Sequence, residues 1–204
     1  CISEYEKKLV QQLVSIPGNK FIVIPPGVDE ITQYNSKKLK DEIDNKLHLL
    51  YVGNLFESKG VQYIIKLLPI LIEQYNKKVI LSIVGDGVYK NVLTNLIDDL
   101  NLNNNVNFYY NLDGHELKEK YLESDIFIFL STSEAYGMVV AEALAMGTPA
   151  IVAKKTALTE FIIENGCFGV NYPFNLQEVA SLIVNIHESN IEVGPFFNKI
   201  KTWE

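Results

Sequence analysis

The feature that most limits the possible folds of this 204-residue chain is a regular alternation of two apolar patterns. Short apolar runs rich in β-branched and aromatic residues recur at 21–24, 47–52, 79–84, 106–109, 126–130 and 149–153. Between them lie segments whose apolar residues recur every three or four positions, at 61–75, 88–100, 116–123 and 138–146. The first pattern is typical of strands buried on both faces and the second of amphipathic helices. The alternation predicts an α/β protein with a single Rossmann-like, doubly wound parallel sheet flanked by helices.

Glycines and polar turn residues follow most of the predicted strands. These segments are Pro25–Gly27, Gly53-Asn54, Gly85–Gly87, Asp113-Gly114 and Glu134–Gly137. In a parallel sheet they all lie at the carboxyl ends of the strands, where doubly wound proteins bind their ligands. The sequence therefore predicts one functional edge. The last third of the chain adds an apolar segment at 158–163, a strand near 168–172 and a helix at 176–187.

The charge balance limits the kinds of partner. Eighteen lysines and no arginine stand against 25 acidic residues, for a net charge of -7. No stretch concentrates enough lysine to follow a polyanion, so nucleic acid is not an expected partner. Because arginine is absent, any bound anion must be held by lysine, backbone N–H groups or neutral donors.

The remaining composition indicates one soluble domain in a reducing compartment. With 48% hydrophobic residues, a chain of this length can bury about 70% of its unfolded surface in one substantial core. Cys1 and Cys167 lie far apart without metal-ligand spacing, which predicts neither a disulfide framework nor a zinc site. No apolar stretch reaches the roughly 18 to 20 residues that cross a bilayer, and no signal peptide is evident. We therefore expect a cytoplasmic protein.

Two glutamates, Glu134 and Glu142, stand eight positions apart in a predicted strand, loop and helix start. The loop places Glu134 beside the free N–H groups of the helix N-terminus, and Glu142 follows about two turns later. The helix around Glu142 is small and apolar nearly all round, so its carboxylate should be partly buried and need a partner, such as a ribose hydroxyl pair. This arrangement suits a ligand with phosphates and hydroxyls. The alternative is that both are ordinary exposed acids.

The loop at residues 53–60 follows another strand and opens a helix. Its backbone donors and the Lys59 ammonium can converge on a phosphate, although the pattern is not that of a P-loop. The alternative is that Lys59 is a solvated surface residue at a helix start.

Other motifs are weaker. Gly85-Asp86-Gly87 lacks the third glycine of a dinucleotide fingerprint, since position 90 is lysine, and a tight turn is the favoured interpretation. Tyr109 and Tyr110 can stack on a base, but aromatic pairs at a strand end are more typical of packing. No nucleophile pattern surrounds His48, His115 or His187.

The segment Ser131–Ala153, which contains Glu134-Ala-Tyr-Gly137 and Glu142-Ala-Leu-Ala-Met-Gly147-Thr-Pro149, resembles the signature of the retaining, family 4 (group 1) glycosyltransferases of the GT-B fold. Further segments agree in order and spacing: Ile24–Asp29, Val52–Gly60, Ile83–Gly87 and Phe108–Leu117. The resemblance covers about residues 20–190. It implies a hexosyltransferase whose two Rossmann-like domains face each other, with this chain as the C-terminal domain that binds the nucleotide-sugar donor.

The resemblance also implies roles for individual residues. Glu142 should accept hydrogen bonds from the ribose hydroxyls, Glu134 should face the donor sugar near its reacting centre, and Lys59 should neutralise the diphosphate. Glu134 and Lys59 are thus the candidate catalytic residues. The full set of expected donor-binding residues is Gly53, Asn54, Lys59, Tyr110, Asn111, Leu112, Glu134, Tyr136, Gly137, Met138, Val139 and Glu142. The backbone of 136–139 should meet the β-phosphate and a sugar hydroxyl, and the backbone of 110–112 should border the base.

One position departs from the family pattern. Asn54 stands where the family usually has an arginine, so one of two phosphate cations is absent. A charge-assisted hydrogen bond of this kind contributes about 1.5 to 3 kcal/mol. Either donor binding is weak, or another lysine such as Lys154 or Lys155 substitutes.

The expected organisation is a lead-in helix at 1–19, the donor-binding domain at 20–190 and the start of a crossover segment at 191–204. The chain begins at Cys1 and resembles an excised half of a GT-B fold, without the N-terminal acceptor domain. Any peripheral contact with a membrane is expected only through that other domain. Alone, the chain should bind nucleotide and transfer little or no sugar.

The sequence thus predicts the donor domain of a retaining glycosyltransferase that moves a sugar from a nucleoside diphosphate sugar to an acceptor hydroxyl. No cofactor is expected, and no metal either, because no Asp-x-Asp pair marks a metal-dependent donor site. Two alternatives remain open: a nucleotide-sugar epimerase or hydrolase of the same fold, and a non-catalytic nucleotide-sugar-binding module, which Asn54 favours.

Overall fold

The computed structural model describes residues 1–14, 17–28, 46–163, 165–189, 191 and 193. Apart from residues 191 and 193, the crossover segment expected at 191–204 lies outside these residues, as does Asp29 of the Ile24–Asp29 segment. The domain boundaries at 19 and 190 stay predictions.

One parallel sheet of six strands forms the centre of the described chain. The strands are β1 (Lys46–Val52), β2 (Lys78–Val84), β3 (Val106–Tyr109), β4 (Ile126–Phe129), β5 (Ala150–Ala153) and β6 (Cys167–Val170). Their spatial order is β3-β2-β1-β4-β5-β6. The chain runs outward from β1 to β3, returns to pair β4 with β1 at Leu49 and Ile126, and then runs outward on the other side. The order therefore reverses between β1 and β4, and ligands of doubly wound sheets bind at such a reversal.

Helices cover the sheet. They are α1 (Glu4–Leu13), α2 (Val61–Glu73), α3 (Lys90–Asp99), α4 (Gly114–Glu123), α5 (Met138–Ala145) and α6 (Leu176–Glu188), with 3₁₀ turns at Gly18–Lys20, Glu57–Lys59 and Ala157–Phe161. The strands of the centre are almost fully apolar: β4 buries all four of its residues, and so does β5. Helix α2 buries seven residues on one face, which fits the spacing of its apolar positions. The predicted α/β fold with a single flanked parallel sheet is confirmed.

The strand predicted at 21–24 is wrong. These residues are extended, but the backbone N–H of Ile24 donates to the carbonyl of Cys1 at 2.9 Å, and they are not part of the sheet. Ile22 and Ile24 are 72% and 67% exposed. An apolar run predicts a buried strand, but the two isoleucines of this run are exposed to solvent.

The other boundaries move by one to three residues. Helix α3 begins at Lys90 rather than at Val88, which is 85% exposed in the preceding turn. Helix α4 begins earlier than predicted, at Gly114, because Asp113 and Glu116 form a capping box. The capping residues, rather than the apolar periodicity, decide where this helix starts.

Candidate functional site

Two loops meet at the carboxyl ends of β1 and β4. The lysine loop (residues 53–60) follows β1, and the glutamate loop (residues 131–137) follows β4. Gly60 has φ of +80°, and a Cβ at this position would lie 2.3 Å from the carbonyl oxygen of Leu130. The carbonyl of Ser58 accepts hydrogen bonds from the backbone N–H of Thr132 at 2.8 Å and from the hydroxyls of Thr132 and Ser131 at 3.3 and 3.4 Å. Glycine is therefore required at position 60, and the two loops are joined.

The glycines after β2 have a structural reason of their own. Gly85 has φ of +140°, and a Cβ there would lie 2.0 Å from the carbonyl oxygen of Gly53. A Cβ on Gly87 would lie 2.4 Å from the carbonyl oxygen of Leu55. The two glycines thus let the loop after β2 pack against the lysine loop, and no ligand is needed to explain them.

Lys59 and Glu134 form an ion pair at the junction of the two loops. The Lys59 ammonium contacts Oε1 of Glu134 and also donates to the carbonyl of Ser133 at 3.2 Å. The two side chains are 20% and 16% exposed, so the pair is largely shielded but still reachable. The sequence predicted both residues at the same edge of the sheet, and in the structure their side chains are in direct contact. An ammonium has three donors, which leaves one beyond these two contacts.

A buried phenol lies beneath this pair. Tyr51 is fully buried, and its hydroxyl donates to the carbonyl of Asn54 at 2.9 Å. Burial first, and then the charge of Glu134, raise the pKa of Tyr51. The phenol therefore stays neutral and holds the turn of the lysine loop in place.

The N-terminus of α5 follows the glutamate loop directly. Gly137, with φ of +108°, accepts hydrogen bonds through its carbonyl from the N–H groups of Val140 and Ala141, at 2.9 and 3.3 Å. Within the described residues, the N–H groups of Met138 and Val139 have no hydrogen-bond partner. The positive end of the helix dipole and these open donors form an anion-binding end beside Glu134.

Glu142 is half-buried on α5 and has a protein partner. The hydroxyl of Tyr121, from α4, lies 2.8 Å from Oε2 of Glu142 and 3.3 Å from the carbonyl oxygen of Val139. Tyr121 is 1% exposed, and Thr148 donates to its backbone carbonyl at 2.7 Å. Burial first, and then the Glu142 charge, raise the pKa of Tyr121 well above its ordinary value. A neutral Tyr121 thus holds one oxygen of the carboxylate, Oε2.

Sequence reasoning missed Tyr121. It expected a partner for Glu142 and named a ribose, but the protein supplies one of its own across 21 residues. The available signal was a tyrosine in an apolar stripe of α4, since a buried tyrosine hydroxyl usually has a polar partner.

The residues expected beside a base lie at the end of β3. The rings of Phe108 and Tyr110 are parallel within 4°, with centroids 6.3 Å apart. The Lys90 ammonium lies 4.1 Å from the centre of the Tyr110 ring, and Tyr110 is 38% exposed. Contact with the Tyr110 hydroxyl raises the pKa of Lys90. Asn111 follows with φ of +50°, a conformation in which asparagine is commoner than most residues.

Tyr109 and Leu112 pack against the hydrophobic core. The Lys120 ammonium lies 4.7 Å from the centre of the Tyr109 ring. The two neighbouring tyrosines therefore differ: Tyr109 packs on the core, and the ring of Tyr110 is the more accessible one.

The two lysines considered as substitutes for an arginine at position 54 lie on the β6 side of the sheet. The Lys155 ammonium is 4.2 Å from the centre of the Tyr172 ring. The chain of Lys154 lies over Gly169 of β6, with its Cε 2.6 Å from where a glycine Cβ would be. β6 is three strands from β1, which the exposed Asn54 follows, and the contacts of both lysines are with residues of β6 or directly after it.

No group of three or more His, Cys, Asp or Glu side chains could hold a metal ion in the part of the chain that the structure describes. None of the helices described there has the length and apolar content to span a bilayer.

The sequence profile of the family described as glycosyl transferases group 1 matches residues 32–190. The chain belongs to this family. An uncharacterised glycosyltransferase of Methanocaldococcus jannaschii is 33% identical over 189 residues, which are 88% of this chain and 48% of that protein. The O-antigen chain mannosyltransferase of Salmonella typhimurium is 28% identical over 203 residues, which are 100% of this chain and 54% of that protein. The chain thus spans about half the length of these two relatives.

Solved glycosyltransferase structures share the fold. Anabaena HepE, solved in complex with UDP-glucose, superposes with a TM-score of 0.76 at 25% identity over 93% of this chain and 54% of that one. The six-stranded sheet and its helices are those of one half of a GT-B glycosyltransferase.

Proposed function

We propose that this domain binds a nucleoside diphosphate sugar and is the donor-binding part of a retaining glycosyltransferase. The observation that carries the proposal is the junction of the two loops. A lysine and a glutamate from separate loops meet there, the open N–H groups of α5 follow, and a second carboxylate lies on the same helix. The cation and the N–H groups suit a diphosphate, and the two carboxylates suit hydroxyl groups.

The diphosphate would be held by Lys59 and by the N–H groups of Met138 and Val139. In the ligand-free chain the Lys59 ammonium is paired with Glu134. A diphosphate carries more charge than one carboxylate, so it would take over the lysine. Glu134 would then be released toward the sugar hydroxyls. Donor binding thus exchanges the partner of Lys59 and turns Glu134 toward the reacting sugar.

The nucleoside would lie between α5 and the end of β3. Glu142, oriented by Tyr121, would accept hydrogen bonds from the ribose hydroxyls through its other oxygen. The backbone of 110–112 would border the base, next to the accessible ring of Tyr110. Gly53 and Asn54 would line the phosphate side of the lysine loop.

The proposed reaction transfers the sugar with retention at its anomeric carbon. The bond from this carbon to the β-phosphate oxygen breaks through an oxocarbenium-like transition state, and its electron pair stays on the departing diphosphate. The acceptor hydroxyl oxygen forms the new bond, and its proton passes to the diphosphate. Lys59 and the helix N–H groups would stabilise the charge that develops on the leaving group. We expect no metal and no other cofactor to be required.

The relatives suggest which donor to test first. HepE was solved with UDP-glucose, and its identity with this chain supports UDP-sugars as the leading candidates. The mannosyltransferase relative makes a mannose donor the second choice. The chain spans about half the length of these relatives, so we expect it to bind the donor but to transfer little or no sugar by itself. The acceptor would bind to the other half of a cytoplasmic protein.

A thermal-shift panel of UDP, GDP, ADP and their sugars tests the proposal. A ligand present at a hundred times its Kd adds about 2.7 kcal/mol to the free energy of unfolding, so the correct nucleotide should stand out. If no nucleotide stabilises the chain, the proposed function is wrong. Steady sugar transfer by this chain alone, at ordinary enzymatic rates, would contradict the two-domain part of the proposal.

Asn54 supports a second candidate, a nucleotide-sugar-binding module without catalysis. In support, the Lys155 ammonium lies on the Tyr172 ring and the side chain of Lys154 lies over Gly169, so both have other contacts than the lysine loop. The two candidate functions predict different fates for the bound donor when the remaining half of the protein is present. A module binds the donor and leaves it intact, whereas a transferase converts it to nucleoside diphosphate in an acceptor-dependent way.

A further inference from the structure

The opening segment of the chain contacts the glutamate loop directly. The hydroxyl of Ser3 donates to the carbonyl of Ala135 at 2.6 Å, across 132 residues of sequence. Ser3 is 1% exposed although it is only the third residue of the sequence. The carbonyl that it binds belongs to the residue directly after Glu134.

A second contact holds the same helix. The Glu160 carboxylate accepts hydrogen bonds from the N–H groups of Tyr5 at 2.7 Å and Glu4 at 3.3 Å, and the Ser3 hydroxyl accepts one from Glu6 at 2.9 Å. The first three N–H groups of α1 are thus satisfied, two of them by a residue from the other end of the domain. Glu160 fixes α1 so that Ser3 faces Ala135.

The 3₁₀ turn Ala157–Phe161, which carries Glu160, also packs on the glutamate loop. The rings of Phe161 and Tyr136 meet edge to face, with centroids 5.1 Å apart. A Cβ on Gly137 would lie 2.5 Å from Cδ2 of Leu158, so this turn covers the start of α5 closely. Residues 135–137 are therefore held at Ala135 by Ser3, the N-cap of α1, and at Tyr136 and Gly137 by the 3₁₀ turn.

We propose that Ser3, supported by Glu160, is a positioning residue for Glu134 and thereby sets the affinity for the sugar part of the donor. The inference rests on the proposed function. The Ser3 hydrogen bond acts on the peptide that joins Glu134 to the helix start. Lys59 and the N–H groups of Met138 and Val139, which would hold the diphosphate, receive no hydrogen bond from α1 within the described residues, and neither does Glu142, which would hold the ribose.

Loss of the Ser3 hydrogen bond should change the affinity for a nucleotide sugar but not the affinity for a free nucleoside diphosphate. Loss of the Ser3 hydroxyl should loosen Ala135 and with it the orientation of Glu134, which a sugar would contact. A nucleoside diphosphate without sugar makes no contact with Glu134, and loss of the Ser3 hydroxyl leaves the Glu134 charge beside Lys59 in place. The affinity for the nucleotide sugar should therefore fall while the affinity for the free diphosphate stays the same.

Calorimetry on the 204-residue chain tests this with UDP and UDP-glucose, and with GDP and GDP-mannose. In Ser3→Ala, the Kd of the sugar nucleotide should rise about three- to tenfold, as for one lost neutral hydrogen bond, and the Kd of the diphosphate should stay within twofold. Glu160→Ala should act in the same direction, and Ser3→Thr, which keeps the hydroxyl, should restore the native ratio. Asn175→Ala is the matched control, because it removes the N-cap of α6 instead of the cap of α1.

Two results would overturn the inference: an equal rise in both Kd values in Ser3→Ala, or no change in either. If the unaltered chain binds neither UDP, GDP nor their sugars, the proposed function is wrong, and hydrogen exchange still decides the positioning role. Amides of residues 131–141 should then exchange at least threefold faster in Ser3→Ala than in Asn175→Ala. Equal exchange in the two variants would exclude the role.

Discussion

The hydroxyl of Tyr121 lies 2.8 Å from Oε2 of Glu142 and so connects helix α4, which follows the expected base loop, to the carboxylate expected to bind ribose. Tyr121 is almost completely buried, whereas Glu142 is only half-buried. The tyrosine thus binds, from inside the protein, a carboxylate that is partly exposed. Its role is to orient Glu142, and it does not need to touch the ligand.

Removal of this hydroxyl should weaken nucleotide binding. In Tyr121→Phe, the Glu142 carboxylate loses its orienting donor, a hydrogen bond to a charged group that contributes about 1.5 kcal/mol, and the nucleotide Kd should rise about tenfold. Calorimetry measures the Kd. Tyr75→Phe is the control, because Tyr75 packs against the core without a described contact to either carboxylate, and its nucleotide affinity should not change. An unaltered Kd in Tyr121→Phe would remove the orienting role.

Removal of the Lys59 ammonium should affect the diphosphate most. Lys59→Ala should raise the Kd of UDP, or of the nucleotide that binds, at least tenfold, since a charge-assisted hydrogen bond is lost. Lys155→Ala is the matched control, because its ammonium lies on the Tyr172 ring, and it should change the Kd less than twofold. A large effect of Lys155→Ala would mean that Lys155 leaves this ring to bind phosphate.

Neutralisation of Glu134 should separate diphosphate from sugar. In Glu134→Gln, Lys59 loses a competing anion, so free UDP should bind about three- to fivefold more tightly, in line with a partly exposed ion pair of up to about 1 kcal/mol. UDP-glucose should gain less, because the variant also loses the carboxylate expected at the sugar. Calorimetry with both ligands gives the ratio. Equal gains for both ligands would show that Glu134 does not contact the sugar.

Restoration of the family's usual cation should tighten binding. Asn54→Arg adds a guanidinium on the exposed end of the lysine loop, and a charge-assisted bond of about 1.5 kcal/mol would lower the nucleotide Kd about tenfold. The gain should shrink in 1 M salt, which screens charge. Asn54→Gln lengthens the side chain without charge and should bind as the unaltered chain does. No gain from the arginine would indicate that the phosphates lie elsewhere.

Stability should fall in alkali through Cys167. Burial raises the pKa of this thiol from 9.0 to about 12, so above pH 9 the unfolded chain loses a proton that the folded chain retains. The folded state then binds more protons, and the free energy of unfolding falls as pH rises, by about 1.4 kcal/mol between pH 8 and 10 from this group. Urea unfolding at the two pH values measures the difference. Cys167→Ala should have a lower free energy of unfolding at both pH values. Between them its free energy of unfolding should fall less, because the contribution of the thiol is gone.

The sheet could be predicted from sequence because its strands are short apolar runs buried on both faces, as β4 and β5 are. Topology then placed Lys59 and Glu134 at one edge, since the carboxyl ends of parallel strands share an edge. The same reasoning was wrong for 21–24, where apolar residues are exposed. It also missed Tyr121 and Ser3, because their hydrogen bonds join residues 21 and 132 positions apart and no local pattern encodes such pairs.

The carbonyl of Ser58, which accepts three hydrogen bonds from the glutamate loop, is a main-chain atom that every amino acid has. The attachment between the two loops therefore survives replacement of the side chain at 58, whereas it fails if a residue is inserted or removed between 53 and 60. The number of residues from Gly53 to Gly60 therefore matters more to this attachment than the side chain at position 58 does.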